Sequence, residues 1–302
     1  MHDIIIVGGG PAGLTAAIYA VRYDLKTLVL EKSVIPGQIA TTDVVENYPG
    51  FPTIAGLELM DRFNEHAANI GVETKISEVK TVEDNGNTKT VFTHDGDLEA
   101  KAVIIATGAD PKHLGVPGEE ELIAKGVSYC ATCDGPFFSG EEVVVIGGGE
   151  SAITDALILS NIASKVHVVH RRDELRSSKI LQERIFAKEN VDFIWDTVLE
   201  KVIGTDEVEQ VVLKNVKTGE TTDLKTSGVF IYIGIVPNTR MVDVDKDKYG
   251  FIISNEKMET SSKGIFVAGD CRDTVLWQVV TAVADGAIAA VSAYEYITGL
   301  EK

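Results

Sequence analysis

Cysteine and long apolar runs are both scarce in this chain of 302 residues. Three cysteines are too few for the disulfide framework that stabilises small secreted domains. No stretch approaches the roughly 18 consecutive apolar residues that a membrane-spanning helix requires. The N-terminal residues run straight into an apolar strand, without the charged region, longer apolar region and cleavage site of a signal peptide. The sequence therefore predicts a soluble, cytoplasmic protein with no membrane partner.

Positive charge is also in short supply. The chain has 28 Lys and Arg against 46 Asp and Glu, which gives a net charge of −18. This negative charge opposes approach to nucleic-acid phosphates and to anionic lipids, so no nucleic-acid partner is expected. Linker-like stretches rich in Pro, Gly and Ser are absent as well, although the length of the chain predicts two domains.

One pattern of strand, turn and helix occurs twice in the chain. An apolar run at residues 3–7 leads into a glycine-rich turn, a helical pattern and a second apolar run that stops at Glu31. The landmarks recur 139 positions later, with Gly8 matched by Gly147 and Glu31 by His170. This order of elements is that of the dinucleotide-binding fold. We therefore predict an α/β protein with two Rossmann-like nucleotide-binding domains.

Further patterns complete both domains. Apolar runs predict additional strands at 102–106, 229–233 and 265–268. Alternating patterns predict antiparallel hairpins or meanders at 72–100 and 191–227, which gives each domain three layers, ββα. A closing helix is predicted at 278–297, with Gly299 as its stop. The order of the patterns nests one domain inside the other.

The first glycine-rich turn suits a pyrophosphate. Gly8, Gly10 and Gly13 lack side chains, so backbone N–H groups and the following helix N-terminus can reach the phosphates. Glu31 stands where a carboxylate accepts hydrogen bonds from the ribose hydroxyls of an unphosphorylated adenosine. The turn alone would also fit a simple strand-to-helix connection. Together with Glu31, it predicts a site for FAD or NAD that rejects NADP.

The second turn is followed by basic residues. Guanidinium groups pair bidentately with phosphate, which favours a site for the 2′-phosphate of NADPH over a merely solvated helix start. An alanine replaces the third glycine at a position that governs only the packing of helix on sheet. The residues predicted to hold NADPH are Gly147, Gly149, Ser151, Ala152, His170, Arg171, Arg172 and Arg176. Two unlike nucleotide sites predict hydride transfer from a nicotinamide to a flavin.

Cys130 and Cys133 form a Cys-x-x-Cys pair. This spacing can close a small disulfide ring or ligate a metal. A structural zinc site would need about four ligands, and the third cysteine, Cys271, is isolated and interpreted as packing, so no metal is predicted. Beside a reduced flavin, the pair could accept two electrons as a disulfide. Asp134 adjoins the pair and is the candidate proton donor or acceptor, with turn capping as the alternative.

These motifs together carry a family resemblance. The two glycine-rich turns, Cys-Ala-Thr-Cys-Asp-Gly at 130–135, His-Arg-Arg-Asp at 170–173 and Gly-Ile-Phe-Val-Ala-Gly-Asp at 264–270 resemble the low-molecular-weight thioredoxin reductases over nearly the whole chain. The resemblance implies an FAD domain at 1–113 and 243–302, with an NADPH domain inserted at 114–242. It also implies a homodimer and thioredoxin as the protein partner.

The resemblance further implies roles for single residues. Cys133 would face the flavin and Cys130 would attack the thioredoxin disulfide. Phe137, Phe138 and Lys125 resemble residues that dock thioredoxin. The implied FAD contacts are Gly8, Gly10, Ala12, Gly13, Glu31, Gly37, Gln38, Asn47, Thr107, Gly108, Gly269, Asp270, Gln278 and Val279.

Three departures from the family pattern bear on the donor and on the thioredoxin served. Thr154-Asp155 stands in place of a Glu-Glu pair after the second turn, which would alter nicotinamide-side contacts. Trp277 stands where many relatives have Arg. Glu141 and Glu142 replace residues that are often basic near the docking loop.

Two rival functions are also compatible with the sequence. One is a disulfide reductase of the same fold fed by ferredoxin or NADH, which fits Trp277 and Thr154 but not the arginines of the second site. The other is a nucleotide-binding redox sensor that uses the cysteine pair as a switch without turnover. The sequence favours reduction of thioredoxin by NADPH through FAD.

Overall fold

The chain folds into two compact units. The computed structural model describes residues 1–33, 37–41, 45 and 47–300, without the side chains of residues 41, 132 and 133. One unit combines Met1–Asp110 with Val236–Lys302, and the other is Pro111–Ile235. The second unit interrupts the first along the chain, so the two units are nested. The unit borders lie a few residues before the expected domain borders at 113 and 242.

The described chain contains strands and helices in the following order. The first stretch contains β1 (His2–Val7), α1 (Pro11–Arg22), β2 (Thr27–Glu31), α2 (Gly56–Asn69), β3 (Glu73–Ile76), β4 (Val79–Asp84), β5 (Lys89–Thr93), β6 (Gly96–Ile105) and β7 (Ala109–Pro111). The middle stretch contains β8 (Val127–Ser128), α3 (Ala131–Asp134), β9 (Glu142–Ile146), α4 (Glu150–Leu159), β10 (Lys165–Val169), α5 (Lys179–Phe186), β11 (Val191–Ile194), β12 (Thr197–Gly204), β13 (Val208–Asn215), β14 (Thr221–Lys225) and β15 (Gly228–Ile231). The last stretch contains β16 (Ile235–Pro237), β17 (Ile265–Val267) and α6 (Val279–Leu300). Short 3₁₀ turns lie at Gln38–Thr41, Gly135–Phe138 and Gly269–Cys271.

The first unit is built on a mostly parallel sheet. Its described strands follow the order β3-β2-β1-β6-β5-β4, and β17 also pairs with β6. β1 pairs in parallel with β2 and β6, whereas β4, β5 and the start of β6 form an antiparallel meander. Ile4, Ile5 and Ile6 are fully buried because both faces of β1 are covered. A strand covered on both faces is expected to be a continuous apolar run, as seen in the sequence.

Two cores cover the faces of this sheet. On one face, Ile4 packs in a core with Ala16 of α1 and Ala289 of α6. On the other face, Ile5 packs in a core with Val91 of β5. Side chains that alternate along β1 point to opposite faces, so one strand anchors both layers. This packing fixes the carboxyl end of β1, where the first glycine-rich turn begins.

The second unit repeats the plan in three layers. Its parallel sheet has the order β11-β10-β9-β15-β8, and β12, β13 and β14 form a separate antiparallel sheet. Val145 of β9 packs in a core with Ile153 of α4, whereas Val144 packs in a core with Val211 of β13. Helices therefore cover one face of the parallel sheet and the antiparallel sheet covers the other, as the ββα prediction requires. The connecting strands β7 and β16 pair with each other.

The predicted stop of the last helix is wrong. Gly299 lies inside α6, which runs to Leu300, and it lacks the positive φ of a helix-ending glycine. The Thr298 hydroxyl donates to the Tyr294 carbonyl oxygen at 2.9 Å, as a residue within a continuing helix can. A glycine near a helix end ends it only when the backbone takes up the left-handed conformation, and sequence does not reveal that.

Candidate nucleotide and redox sites

Strand ends at one edge of the first sheet bring separate sequence segments together. β1, β2, β6 and β17 run in parallel, so their carboxyl ends lie at the same edge. Gly8, Glu31, Thr107 and Gly269 lie at or just after these ends. Ligands of open parallel sheets bind at this edge. The predicted residues from four segments of the chain therefore lie at one edge of the sheet in the first unit.

The turn between β1 and α1 is closed by glycines. Gly8 has a φ of +110°, and a Cβ there would lie 2.2 Å from the Ala106 carbonyl oxygen. A Cβ at Gly13 would lie 1.8 Å from the Gly8 oxygen, so neither position accepts a side chain. At Gly10, the N-cap of α1, the space is open and no side chain caps the helix. The first N–H groups of α1 are thus left for an anion such as a pyrophosphate.

Glu31 is fixed at the end of β2 with its carboxylate at the turn. It is 8% exposed, and its Oε2 accepts a hydrogen bond of 2.7 Å from the Gly9 N–H. Its Oε1 accepts a hydrogen bond of 3.0 Å from the Ser33 N–H. Each carboxylate oxygen can accept a further bond, so the group can still receive ribose hydroxyls. A phosphorylated ribose would bring negative charge against this buried carboxylate.

Hydrogen bonds join several loops that carry the remaining predicted FAD contacts. The Asn47 side-chain amide donates to the Gln278 side-chain oxygen at 2.8 Å, directly before α6 begins. The Gln38 side chain donates to the Ala109 carbonyl oxygen, and Gly37 before it has a φ of +72°. These bonds join the loop after β2 to the segments that precede α6 and follow β6.

The segments after β6 and β17 are held by backbone contacts. The Asn238 N–H donates to the Gly108 carbonyl oxygen at 3.0 Å, and the Thr107 hydroxyl donates to the Asn238 carbonyl oxygen. A Cβ at Gly269 would lie 3.0 Å from the Cβ of Ala12 on α1. The small residues at these positions let the two turns approach closely.

Asp270 is a carboxyl group with altered acidity at the same edge. Burial and, to a lesser extent, the negative charge of Asp285 raise the pKa of Asp270 from 3.8 to about 6. Asp285 itself pairs with Arg272 at 3.1 Å and accepts the Gly269 N–H at 3.2 Å. Asp270 therefore gains or loses its proton in a pH range where ordinary aspartates are fully charged.

The second turn repeats the geometry of the first. Gly147 has a φ of +148°, and a Cβ there would lie 2.5 Å from the Tyr232 carbonyl oxygen. Gly149 is the N-cap of α4, with open space and no side-chain cap. A Cβ at Gly148 would lie 2.6 Å from the His170 ring, just as a Cβ at Gly9 would contact Glu31 in the first unit. The equivalence deduced from the 139-residue offset is therefore present in the structure.

His170 and the arginines around it lie beside this turn. His170 is 4% exposed, and its Nε2 has no hydrogen-bond partner among the described residues. Burial lowers the pKa of His170, and the charges of Arg176, Arg172 and Arg171 lower it further. The Arg176 N–H donates to the Gly148 carbonyl oxygen at 2.7 Å, which ties the arginine segment to the turn. The three arginine side chains are exposed, as is Ser151 on the first turn of α4.

Cys130 is the described member of the cysteine pair. It is joined in a disulfide, whereas the side chain of Cys133 lies outside the described part of the structure. The Cys130 N–H donates to the Ser128 hydroxyl oxygen at 3.0 Å, and the Asp134 N–H donates to the Cys130 carbonyl oxygen at 3.1 Å. Asp134 therefore follows Cys130 by one helical turn, and its side chain is half-buried. Cys271 is free and fully buried, which confirms its interpretation as packing.

Two residues that sequence reasoning did not place at the redox segment contact it in the structure. The Ala131 N–H donates to the Tyr232 hydroxyl at 2.8 Å and to Asp155 Oδ2 at 3.3 Å. Asp155 stands out in the sequence only as a departure from the family pattern. Tyr232 carries no signal, because no spacing rule links the end of β15 to α3.

A second polar group orders the residue before Cys130. Tyr129 donates its hydroxyl to Glu119 Oε1 at 2.7 Å, and its oxygen lies 3.2 Å from the His113 ring nitrogen. Glu119 is 1% exposed and also accepts the Leu114 N–H at 2.9 Å. Burial and the Glu119 carboxylate raise the pKa of Tyr129. This contact holds the loop at 113–119 to the strand that leads into the redox segment.

The residues that resemble docking positions differ in exposure. Phe137 is 82% exposed, and Lys125 is also exposed. Phe138 packs edge-on against Phe230 at 5.3 Å between ring centres, as part of the core of the second unit. In the first unit, Trp277 lies near Phe251 at 5.6 Å between ring centres and remains partly exposed.

Neither a metal centre nor a membrane span is present among the residues that the structure covers. No group of three or more His, Cys, Asp or Glu is arranged to hold a metal ion in the described ranges. Across the same ranges, no helix has the length and apolar character needed to cross a bilayer.

Comparison with known proteins identifies the family. The sequence model for pyridine nucleotide-disulphide oxidoreductases matches residues 2–286. The chain belongs to this family. Thioredoxin reductase from Bacillus subtilis is 47% identical over 305 aligned residues, which cover 100% of this chain and 96% of that protein. Thioredoxin reductase from Treponema pallidum is 45% identical over 302 residues, with 99% and 98% covered.

A solved structure in the family has the same fold. The crystal structure of Lactococcus lactis thioredoxin reductase superposes with a TM-score of 0.95 at 44% identity, covering 99% of this chain and 100% of that one. The name of this oxidoreductase family combines a pyridine nucleotide with a disulphide. This chain has a nucleotide-binding fold and a disulfide at Cys130.

Proposed function

We propose that this oxidoreductase is an FAD-dependent thioredoxin reductase that takes electrons from NADPH. The main support is that two similar glycine-rich turns lie beside side chains of different chemistry. The first lies beside the buried carboxylate of Glu31, and the second lies beside a basic cluster after His170. A chain with both sites and a disulfide at Cys130 has the three parts of an electron path. Thioredoxin is the proposed partner because similar proteins are named thioredoxin reductase.

The first unit is proposed to bind FAD. The open space at Gly10, the uncapped start of α1 and the buried Glu31 fit the pyrophosphate and the unphosphorylated ribose of this cofactor. When bound, FAD supplies a two-electron carrier between a nicotinamide and a disulfide. We assign this role to residues 1–113 and 243–302.

The second unit, assigned as residues 114–242, is proposed to bind NADPH. The exposed Arg171, Arg172 and Arg176 offer bidentate donors to a 2′-phosphate. The buried His170 Nε2, which has no hydrogen-bond partner among the described residues, fits a site completed by a ligand. These donors favour NADPH over NADH and over ferredoxin.

The cysteine pair is proposed to pass electrons to thioredoxin. Cys130, as the thiolate, attacks one sulfur of the thioredoxin disulfide, and the other sulfur leaves with the electron pair. Cys133 then attacks Cys130, which releases dithiol thioredoxin and restores the disulfide of this chain. Asp134 lies one helical turn from Cys130 and is the proposed proton donor to the leaving sulfur.

The assembly and location are also proposals. We infer a homodimer in the cytoplasm, as the family resemblance implies. Tyr19 on α1 and Tyr23 just after it are partly exposed, so a second copy could cover them. Sedimentation of the purified protein tests the dimer, and a single species of monomer mass would contradict it.

Steady-state turnover tests the function. Purified protein should carry a flavin. In an assay in which thioredoxin passes its electrons on to a chromogenic disulfide, turnover should be faster with NADPH than with NADH or reduced ferredoxin. Cys133→Ser should abolish turnover while keeping the flavin, whereas Cys271→Ala, which alters a buried cysteine outside the pair, should keep both. Flavin reduction by NADPH without thioredoxin turnover would instead support a redox sensor. Turnover with ferredoxin alone would overturn the proposed donor.

A further inference from the structure

Asp155 and Tyr232 form a closed set of hydrogen bonds at the backbone next to Cys130. The Ala131 N–H donates to the Tyr232 hydroxyl at 2.8 Å and to Asp155 Oδ2 at 3.3 Å. The side chains of Tyr232 and Asp155 also hydrogen-bond to each other. Because the Tyr232 oxygen accepts the N–H, its own hydrogen goes to Asp155. Ala131 is fully buried and cannot exchange these partners for water without opening of the segment.

The pair places a carboxyl group of raised proton affinity beside the redox segment. Burial raises the pKa of Asp155, although the hydrogen bonds from Tyr232 and Ala131 oppose this shift. Burial also raises the pKa of Tyr232, and the charge of Asp155 raises it further. Tyr232 therefore remains a neutral donor across the range in which thiols ionise.

Few other charges act on this pair. Asp134 on α3 also acts on Tyr232 electrostatically. Other charged groups lie on the elements that pack against α4, but none of them is a cause of the pKa shift of Asp155. They are Lys179, Glu183 and Arg184 on α5, Glu142 on β9, and Lys165 and His167 on β10. Asp155 and Asp134 are therefore the carboxylates whose charges act on Tyr232, next to the Cys130–Ala131 segment.

We propose that the Asp155–Tyr232 pair positions the Cys130–Ala131 segment and that the Asp155 carboxylate opposes thiolate formation at Cys130 in the reduced protein. This inference rests on the proposed function, in which Cys130 is the attacking thiol. A nearby negative charge disfavours a second one, so the Cys130 thiol keeps its proton to higher pH. Asp155 touches neither the partner nor a cofactor in this role and acts only through Cys130.

The proposed effect suits a protein that reduces another disulfide. A dithiol whose thiolate is strongly stabilised is a weak reductant, as shown by strongly oxidising dithiol proteins. Because the Asp155 carboxylate disfavours the Cys130 thiolate, it favours transfer of electrons from the Cys130 pair to the partner. The proton released when the thiolate does form passes to solvent.

The acidity of Cys130 can be measured without flavin or nicotinamide. The full-length protein is reduced chemically and alkylated with iodoacetamide across a range of pH, and modification of the Cys130 peptide is quantified by mass spectrometry. In Asp155→Asn, the midpoint should move to lower pH by about one pH unit, the size of shift that one nearby charge produces. Glu200→Gln removes an equal charge from an exposed ion pair with Lys214 and should leave the midpoint unchanged.

Two further variants separate charge from folding. Asp155→Glu keeps the carboxylate and should restore the wild-type midpoint. Tyr232→Phe should make the Ala131 amide exchange hydrogen about fivefold faster, since a typical hydrogen bond is worth about 1 kcal/mol. Equal midpoints in wild type and Asp155→Asn, or unchanged exchange in Tyr232→Phe, would overturn the inference. If Asp155→Asn does not fold, the exchange measurement still tests the positioning, and Asp155→Thr, which also lacks the charge, replaces Asp155→Asn in the alkylation measurement.

The outcomes also separate this inference from the proposed function. If the inference alone fails, thioredoxin turnover persists with unchanged alkylation midpoints. If the proposed function alone fails, no donor supports thioredoxin turnover, yet Asp155→Asn still shifts the alkylation midpoint.

Discussion

Glu31 and His170 occupy equivalent positions and have opposite chemistry. Each lies against the middle glycine of its turn, Gly9 or Gly148. Glu31 holds a buried carboxylate between two N–H donors, whereas His170 is kept neutral by burial and lies within reach of three arginine charges. A negative strand end disfavours a phosphorylated ribose and a positive one attracts it. This difference between single side chains supports the assignment of two different nucleotides.

The raised pKa of Asp270 predicts that the stability of the folded protein depends on pH. The pKa of Asp270 is raised from 3.8 to about 6 in the folded protein, so the folded state binds a proton more tightly than the unfolded state. The resulting stabilisation is complete below about pH 4 and is lost as the pH rises through 6. Relative to Asp270→Asn, ligand-free wild type should therefore lose up to about 3 kcal/mol of unfolding free energy between pH 4 and pH 7.

Urea unfolding measures this difference. Fluorescence of Trp277 in a Trp195→Phe background reports on the first unit, because these are the two tryptophans of the chain. Asp97→Asn, a change at an exposed carboxylate on β6, should follow the wild-type pH dependence. A constant difference between wild type and Asp270→Asn from pH 4 to pH 7 would contradict the prediction.

Helices α1 and α6 show how an element positions the first turn. Gly286 on α6 faces α1 so closely that a Cβ there would lie 2.2 Å from the Ala12 carbonyl oxygen. Gly286→Ala must push the helices apart, and such overpacking costs about 1–3 kcal/mol. Because Ala12 lies in the first turn of α1, the variant should also retain less flavin. Urea unfolding and the flavin content of the purified protein check both effects.

Gly299 provides a matched control in the same helix. A Cβ at Gly299 has no neighbour within 4 Å, so Gly299→Ala makes the same chemical change in open space. Alanine favours helix by up to about 1 kcal/mol over glycine, which predicts equal or slightly higher stability and unchanged flavin content. Equal stability losses in the two variants would show that the close approach at Gly286 is not the cause.

The elements that sequence predicts well are those defined by local pattern. Apolar runs such as Ile4–Ile6 reveal parallel strands because both faces are buried, and the glycine spacing reveals the turn that follows. The contact of Asp155 with Tyr232 is invisible in the sequence, because it joins α4 to the end of β15 across many intervening residues. The helix end near Gly299 was also missed, because it depends on backbone conformation and not on composition.

At the scale of the whole molecule, the inserted unit is a continuous segment with its own cores. Residues 111–235 contain the parallel sheet, the helical layer on one of its faces and the antiparallel sheet on the other. The ends of the segment are adjacent, since the Lys112 N–H donates to the Gly234 carbonyl oxygen at 2.9 Å. A segment with its own cores and adjacent ends meets the usual conditions for independent folding.

We therefore expect the fragment 111–235 to fold and to bind NADP⁺ without the first unit. Titration calorimetry measures the affinity, and circular dichroism with thermal melting checks the fold. In the fragment, Arg171→Ala with Arg172→Ala should weaken binding about 10- to 100-fold, as expected for lost hydrogen bonds to a charged group. Lys179→Ala with Arg184→Ala, which changes two exposed basic residues of α5, is the control of equal charge change, and equal losses in both double variants would contradict a specific phosphate site.

The repeated turn has a consequence for how such a chain can diverge. In the proposed binding mode, main-chain groups of each turn receive the phosphates, and exchange of a side chain barely alters these groups, whereas the ribose meets side chains at and just after the strand end. Selection could therefore change the preferred nucleotide of either half by replacing a few strand-end residues, without rebuilding the turn or the sheet beneath it. An ancestral duplication of one binding plan would then need few steps to give a donor half and an acceptor half.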